Sequence, residues 1–298
     1  MPTDPAPIHF ALPGFERLLP GAPLEVGRLV VERFPNRELS VRVEAEVGGR
    51  PCVLLGSVAP PDGQMLSLTL AADTLKRLGA ARLVALLPYL AYARQDKEEP
   101  GGGLGIAWVG GVLRACGVEE LITIDIHSAR AAELLGMPVS SLSPAELFAE
   151  RLRRSGFGDA TIVAPDEGAI ERSGAVAEAA GVEAPVAHLT KERTETGVVH
   201  RELVGEVGRR AVVVDDILDT GGTLVSCCRA LRAQGVERAM ALVTHGLFTG
   251  DGWRELPALV DELHVTDSVP SVAAHPPEGV GVLSVRPLVE EALRAASG

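Results

Sequence analysis

Two adjacent carboxylates followed by an acidic, glycine-rich turn form the stretch best equipped for chemistry: Asp215 and Asp216, then Asp219-Thr220-Gly221-Gly222-Thr223. The glycines let backbone N–H groups turn toward one point. A helix that opens at this turn adds its own N-terminus, so Asp219 to Thr223 can cradle a phosphate. Asp215 and Asp216 stand at the carboxyl end of a short apolar strand, Ala211 to Val214, where an open α/β sheet holds its ligand. Carboxylates beside an anion site suit sugar hydroxyls or a metal. The plainer reading, turn residues joining a strand to a helix, leaves this full pattern unexplained.

Four further groups carry chemistry. Arg94 and Gln95, with Asp96 and Lys97, follow a strand; a guanidinium can fork onto phosphate oxygens, and an amide can bind a base or a phosphate. A solvated loop with a surface Arg–Asp pair is equally open there. His127 ends one apolar strand and Asp166 ends the equivalent strand in the second half. One imidazole and one carboxylate can share a hard divalent cation completed by water and phosphate oxygens, as Mg²⁺ prefers; a lone His at such a place is more often structural. Lys191 and Arg193 sit in a polar segment leaving a strand, on the same side if it stays extended. Composition alone favours a solvated loop, whereas a mobile Lys-x-Arg loop is what phosphoryl transfer needs to close over developing charge.

The elements that must position these groups alternate. From Pro51 the pattern predicts strand Cys52 to Leu55, helix Gln64 to Leu78, strand Arg82 to Leu87, loop Ala91 to Gly103, a helix to about Cys116, strand Leu121 to Ile126 and a helix near Ala129 to Leu135. The second half repeats it: helix Pro144 to Arg154, strand Thr161 to Ala164, helix Ala169 to Ala180, strand Val186 to Leu189, the central strand and helix, then strands Met240 to Val243 and Glu262 to Val265. This interval implies parallel sheets with helices on both faces, in two Rossmann-like domains, 1–142 and 143–298. Leu29 to Val43 alternates on both sides of Phe34-Pro35-Asn36-Arg37-Glu38 and predicts a projecting hairpin.

With 298 residues, 46% of them hydrophobic, the chain can build two cores. A net charge of −12 argues against non-specific nucleic-acid binding, so an anionic substrate needs local cations or a metal. Cys52, Cys116, Cys227 and Cys228 lack metal-type spacing and read as small core residues in a reducing cytoplasm. The first ten residues have neither a basic start nor a long apolar core, and no apolar run spans a bilayer, so a soluble protein with no membrane partner is expected.

On its own, the Asp215 to Thr223 loop resembles that of phosphoribosyltransferases and phosphoribosyl pyrophosphate synthetases alike. Taken in order, Phe34 to Glu38, Tyr92 to Asp96, Thr123 to His127, Pro165 to Gly168, Lys191 to Arg193, Val214 to Thr223, His245 to Phe248 and Val265 to Pro270 resemble the ribose-phosphate diphosphokinases, the phosphoribosyl pyrophosphate synthetases. The resemblance spans about Phe34 to Pro270.

That resemblance implies two phosphoribosyltransferase-type domains and Mg²⁺-dependent transfer of the diphosphoryl group of ATP to the 1-hydroxyl of ribose 5-phosphate, releasing AMP. Phe34, Asn36, Arg37 and Glu38 would hold adenine across a subunit boundary, implying a homo-oligomer of at least two chains. Arg94, Gln95 and Asp96 would contact ATP, and His127 and Asp166 would bind Mg²⁺. Asp215 and Asp216 would meet the ribose, Asp219, Thr220, Gly221, Gly222 and Thr223 would wrap the 5-phosphate, and Lys191 and Arg193 would stabilise the transferring group, Arg193 also reaching the sugar phosphate. Two departures stand out: Gly101 to Trp108 lacks the basic residues usual after the ATP loop, and Val47-Gly48-Gly49 replaces Val-Arg-Gly. The first implies an altered ATP-loop geometry; the second, with Gln64-Met65-Leu66-Ser67 lacking the usual acidic residue, implies weak or altered allosteric control. The competing reading is a catalytically silent relative that binds nucleotide or sugar phosphate and regulates a partner.

Overall fold

The computed structural model describes the chain apart from residues 1–4, 20–23, 184–185, 195–196 and 296–298 and the side chains of 191–201. It divides into two compact units, Met1–Leu142 with Val285–Gly298, and Ser143–Ser284.

The first unit runs β1 (Ile8–Ala11), β2 (Glu25–Val26), β3 (Arg28–Arg33), β4 (Leu39–Glu44), β5 (Pro51–Leu55), α1 (Gly63–Arg77), β6 (Arg82–Leu87), α2 (Gly105–Ala115), β7 (Glu120–Ile124), α3 (Ala129–Leu134) and β8 (Val139–Leu142). Six strands form a parallel sheet in the order β2-β1-β5-β6-β7-β8. Cys52 to Leu55 and Leu83 to Leu87 are buried without alternation, as strands covered on both faces must be. Helix α1 buries Met65, Leu68, Ala71, Ala72 and Leu75 at helical spacing, and Gly79, at φ 88°, turns the chain out of it. The hairpin β3–β4 forms a sheet of its own, in register from Arg28↔Glu44 to Arg33↔Leu39, with β4 along α1.

The second unit runs α4 (Ala145–Arg153), β9 (Thr161–Ala164), α5 (Ile170–Ala180), β10 (Ala187–Thr194), β11 (Gly197–Val204), β12 (Arg210–Leu218), α6 (Gly222–Ala233), β13 (Arg238–Gly246), α7 (Leu256–Leu259), β14 (Glu262–Thr266), α8 (Pro270–Ala274) and β15 (Val280–Leu283). Its sheet order is β11-β10-β9-β12-β13-β14-β15, parallel except for the β10–β11 hairpin. Val212, Val214, Met240 and Leu242 pack with Phe148 and Leu152 of α4 and Val176 of α5. The intervening Ala211 and Val213 are equally buried, so the sheet is covered on its other face too, where α6 buries Leu224, Cys227, Cys228 and Leu231.

Three expectations change. The central strand does not stop at Val214: it runs to Leu218, because β13 keeps pairing with it as far as Leu218↔Gly246. The polar run through Lys191 and Arg193 continues β10 and pairs antiparallel with β11, backbone hydrogen bonding deciding what composition did not. The last helix, α9 (Arg286–Ala295), falls in the first unit, burying Val289, Ala292 and Leu293 and touching the 3₁₀ turn Glu16–Leu18, whereas the strand–helix pattern assigns 143–298 to the second. Among the described residues, no helix is long and apolar enough to cross a membrane.

Candidate functional site

In the second unit, β9 pairs with β12 only at Ala211 to Val213, whereas β13 accompanies β12 to Leu218. One edge of β12 is therefore released where Asp215 and Asp216 stand, the crevice position of an open α/β sheet. Both acids are buried, and Asp216 N–H donates to Asp215 Oδ1 at 2.9 Å. From α5, Arg172 Nη2 lies 3.6 Å from Asp216 Oδ2. Burial, then the Asp216 charge and its hydrogen bond, push the Asp215 carboxyl well above the usual carboxylate range, with Asp166 adding to the negative field and Arg172 opposing it. Asp166, half-buried at the end of β9, starts a 3₁₀ turn that leads into α5. The structure thus gathers Asp166, Asp215 and Asp216, and adds Arg172, which the sequence reading missed because an Arg on a helix carries no signal of what it faces.

The turn Asp219 to Thr223 leaves β12 and enters α6. Gly221 caps the helix at φ 88° and ψ −5°, a region L side chains rarely adopt, and Val225 N–H donates to its carbonyl at 2.9 Å. A Cβ there would lie 2.5 Å from Trp253 Cα, and a Cβ on Gly252 would lie 2.6 Å from Thr220 O. The loop is pressed backbone to backbone against the segment after β13. Trp253 is buried there, edge-on to Phe248 with ring centroids 4.9 Å apart.

In the first unit, the tip of the β3–β4 hairpin presents Phe34 more than half exposed. Phe34 N–H donates to Glu38 O at 2.9 Å, Arg37 N–H to Phe34 O at 2.8 Å and Glu38 N–H to Asn36 Oδ1 at 3.1 Å, closing the expected turn. Arg37 sits at φ 71°, and Arg33 Nη1 donates to its carbonyl at 2.6 Å. After β6, Arg94 and Gln95 are exposed, whereas Asp96 is buried. Asp96 Oδ2 accepts from Ser128 Oγ at 2.6 Å and Asp96 O from Arg130 Nε at 2.6 Å, which ties the loop to the start of α3. The Gln95 amide lies across the first turn of α2, where a Cβ on Gly105 would meet Oε1 at 2.3 Å. Trp108 packs edge-on to Tyr92 with centroids 5.7 Å apart. His127 is half-buried, three residues beyond β7.

Lys191 and Arg193 pair through their backbones with His200 and Val198; their side chains lie outside the described residues. Among the described residues, no group of three or more His, Cys, Asp or Glu could hold a metal ion unaided. Asp166 beside two buried acids is nonetheless a hard oxygen donor in a negative field that Arg172 only partly opposes. Such a setting fits Mg²⁺, which takes one or two carboxylates and completes its shell with water and phosphate.

Comparison with known proteins gives two matches to family models: the N-terminal domain of ribose phosphate pyrophosphokinase over residues 18–117, and the phosphoribosyl transferase domain over residues 140–258. The ribose-phosphate pyrophosphokinase of Campylobacter jejuni is 31% identical over 268 residues, 89% of this chain and 86% of that one. That of Burkholderia pseudomallei is 32% identical over 256 residues, 84% and 79% of the two chains. The crystal structure of phosphoribosylpyrophosphate synthetase from Mycobacterium smegmatis aligns with a TM-score of 0.84 at 25% identity, covering 98% of this chain and 99% of that one.

Proposed function

The chain belongs to the ribose-phosphate pyrophosphokinase family, and on that premise we propose that it moves the β,γ-diphosphoryl group of ATP to the 1-hydroxyl of ribose 5-phosphate. The bond between the sugar oxygen and the β-phosphorus forms as the bond from that phosphorus to the departing AMP oxygen breaks, and the hydroxyl proton is released. No protein atom enters a covalent bond, so the chain contributes positioning and electrostatics.

The 5-phosphate sits on the backbone N–H groups and hydroxyls of Asp219 to Thr223, at the N-terminus of α6. Asp215 and Asp216 accept from the ribose hydroxyls, and Arg172 holds Asp216 in place. Phe34, Asn36, Arg37 and Glu38 bind adenine, shared with a neighbouring subunit in at least a dimer. Arg94 and Gln95 take the nucleotide together with Asp96, whose bonds to Ser128 and Arg130 hold their loop. His127 of the first unit and Asp166 of the second would each offer Mg²⁺ a donor, and the ion would withdraw charge from the phosphate oxygens. Lys191 and Arg193 close over the transferring group, the backbone hairpin β10–β11 carrying them as a pair.

One observation carries this reading. A single chain pairs the buried acids and glycine loop of β12–α6 with a hairpin exposing Phe34 and a loop presenting Arg94 and Gln95. A phosphoribosyltransferase needs only the first. The test is AMP release from ATP and Mg²⁺ with and without ribose 5-phosphate, products resolved by phosphorus NMR. AMP and phosphoribosyl pyrophosphate forming only when both substrates are present is the expected outcome. Binding of both ligands without turnover would refute it in favour of a silent, regulatory relative.

A further inference from the structure

The segment that follows β13 has no assigned role, yet it is bonded to the phosphate loop along its length. Leu247 N–H and Phe248 N–H both donate to Leu218 O, at 2.7 and 3.2 Å. Thr249 N–H donates to Asp219 O at 3.2 Å, and Thr249 Oγ1 donates to Asp219 Oδ1. One residue therefore grips both the main chain and the side chain of the loop's first position. Its own base is anchored: His245 Nδ1 is 2.8 Å from Ser268 Oγ, Ser268 Oγ donates to Thr244 O at 3.2 Å, and Thr266 Oγ1 donates to Thr244 O at 2.6 Å, all buried. That network joins the end of β13 to β14 and links the His245 to Phe248 and Val265 to Pro270 motifs.

A carboxylate at the mouth of an anion site is a like charge beside the incoming phosphate, and it weakens binding unless it is held in a fixed place. A hydroxyl donor on its Oδ1 does that, while the paired backbone bond holds the loop in its receiving shape. We propose that Thr249 is a positioning residue of the sugar-phosphate site, acting through Asp219. This rests on the reading of that loop as the ribose 5-phosphate cradle, in which Thr249 fixes both the carboxylate and the main chain of Asp219.

Thr249 is exposed, so substitution there leaves the core intact. Thr249→Val keeps the shape and removes the donor; Thr249→Ser keeps the donor. The measurements are the calorimetric Kd for ribose 5-phosphate, the KM for each substrate, and kcat. The Val variant should raise Kd and KM for ribose 5-phosphate about tenfold, with the ATP KM nearly unchanged, and Ser should restore them to within about twofold. A Val variant with the unmodified Kd, a Ser variant as weak as Val, or equal losses for both substrates would each overturn the inference. Failure of the unmodified protein to bind ribose 5-phosphate would instead refute the functional reading on which it rests.

Discussion

Replacing Gly221 with Ala tests whether the phosphate loop is shaped by backbone contact rather than by sequence composition. Two separate penalties apply. At φ 88° a β-carbon is strained whatever the space around it, which costs on the order of 1–2 kcal/mol. The same β-carbon would lie 2.5 Å from Trp253 Cα, 2.8 Å from its N and 2.9 Å from its Cβ, none of which is the free end of a flexible side chain. Relieving that contact costs roughly 1–3 kcal/mol as overpacking. The sum, about 2–5 kcal/mol, corresponds to a fall in Tm on the order of 10 °C by differential scanning fluorimetry. Because the loop must retreat from Trp253, the amides that receive the phosphate move as well. A displacement near 1 Å lowers kcat/KM for ribose 5-phosphate by up to about a hundredfold. Gly181→Ala is the comparator: φ is 71° and no atom lies within 4 Å of the added carbon, so only the first penalty applies. That variant should lose a few degrees and retain its substrate affinities. If the two variants melted together and bound ribose 5-phosphate equally, the contact with Trp253 would have no part in shaping the site.

Three further outcomes follow from the same geometry. Because burial and Asp216 raise the Asp215 carboxyl, the folded protein holds that proton more tightly than the unfolded chain; the group supports the fold below the ordinary carboxylate range and loses that support as pH rises through its raised folded value. Asp215→Asn should therefore raise Tm above neutrality, with the gain vanishing toward about pH 4, while abolishing turnover; melts across pH check the first and product assays the second. Gly105→Ala should displace the Gln95 amide, a flexible group, and so raise the KM for ATP with little change in Tm or in the KM for ribose 5-phosphate. Burial pushes the thiols of Cys52 to about 11 and Cys228 to about 12 and raises that of Cys227 well above its usual range, so in a thiol titration near pH 8 the native protein should show only Cys116 reacting, and slowly.

Much of the fold was legible because its parallel strands are continuous apolar runs and its helices bury one stripe: Leu83 to Leu87, Thr161 to Ala164 and the α1 spacing needed no tertiary information. The misreadings share a cause. Two acids after Val214 signal the end of a strand, and nothing local reveals that β13 and Arg172 hold them inside one. Polar residues from Thr190 onward look like a loop until the partner strand Gly197–Val204 is in place. The loop's acids and glycines mark the turn, but Thr249 and Trp253, which press on it, lie some thirty residues downstream, where composition offers only a Thr and an aromatic. Asp96 read as part of a polar loop and not as its buried anchor, because only the fold brings Ser128 to it.

The return of α9 to the first unit sets a timetable for synthesis. Domains fold as they emerge from the ribosome at about 5–20 residues per second, so the intervening unit, about 140 residues, takes roughly 7–28 s to be made. The first unit spends that interval without Val289, Ala292 and Leu293, its closing apolar stripe, while the second has its whole chain before α9 emerges. The half translated first is thus the half completed last.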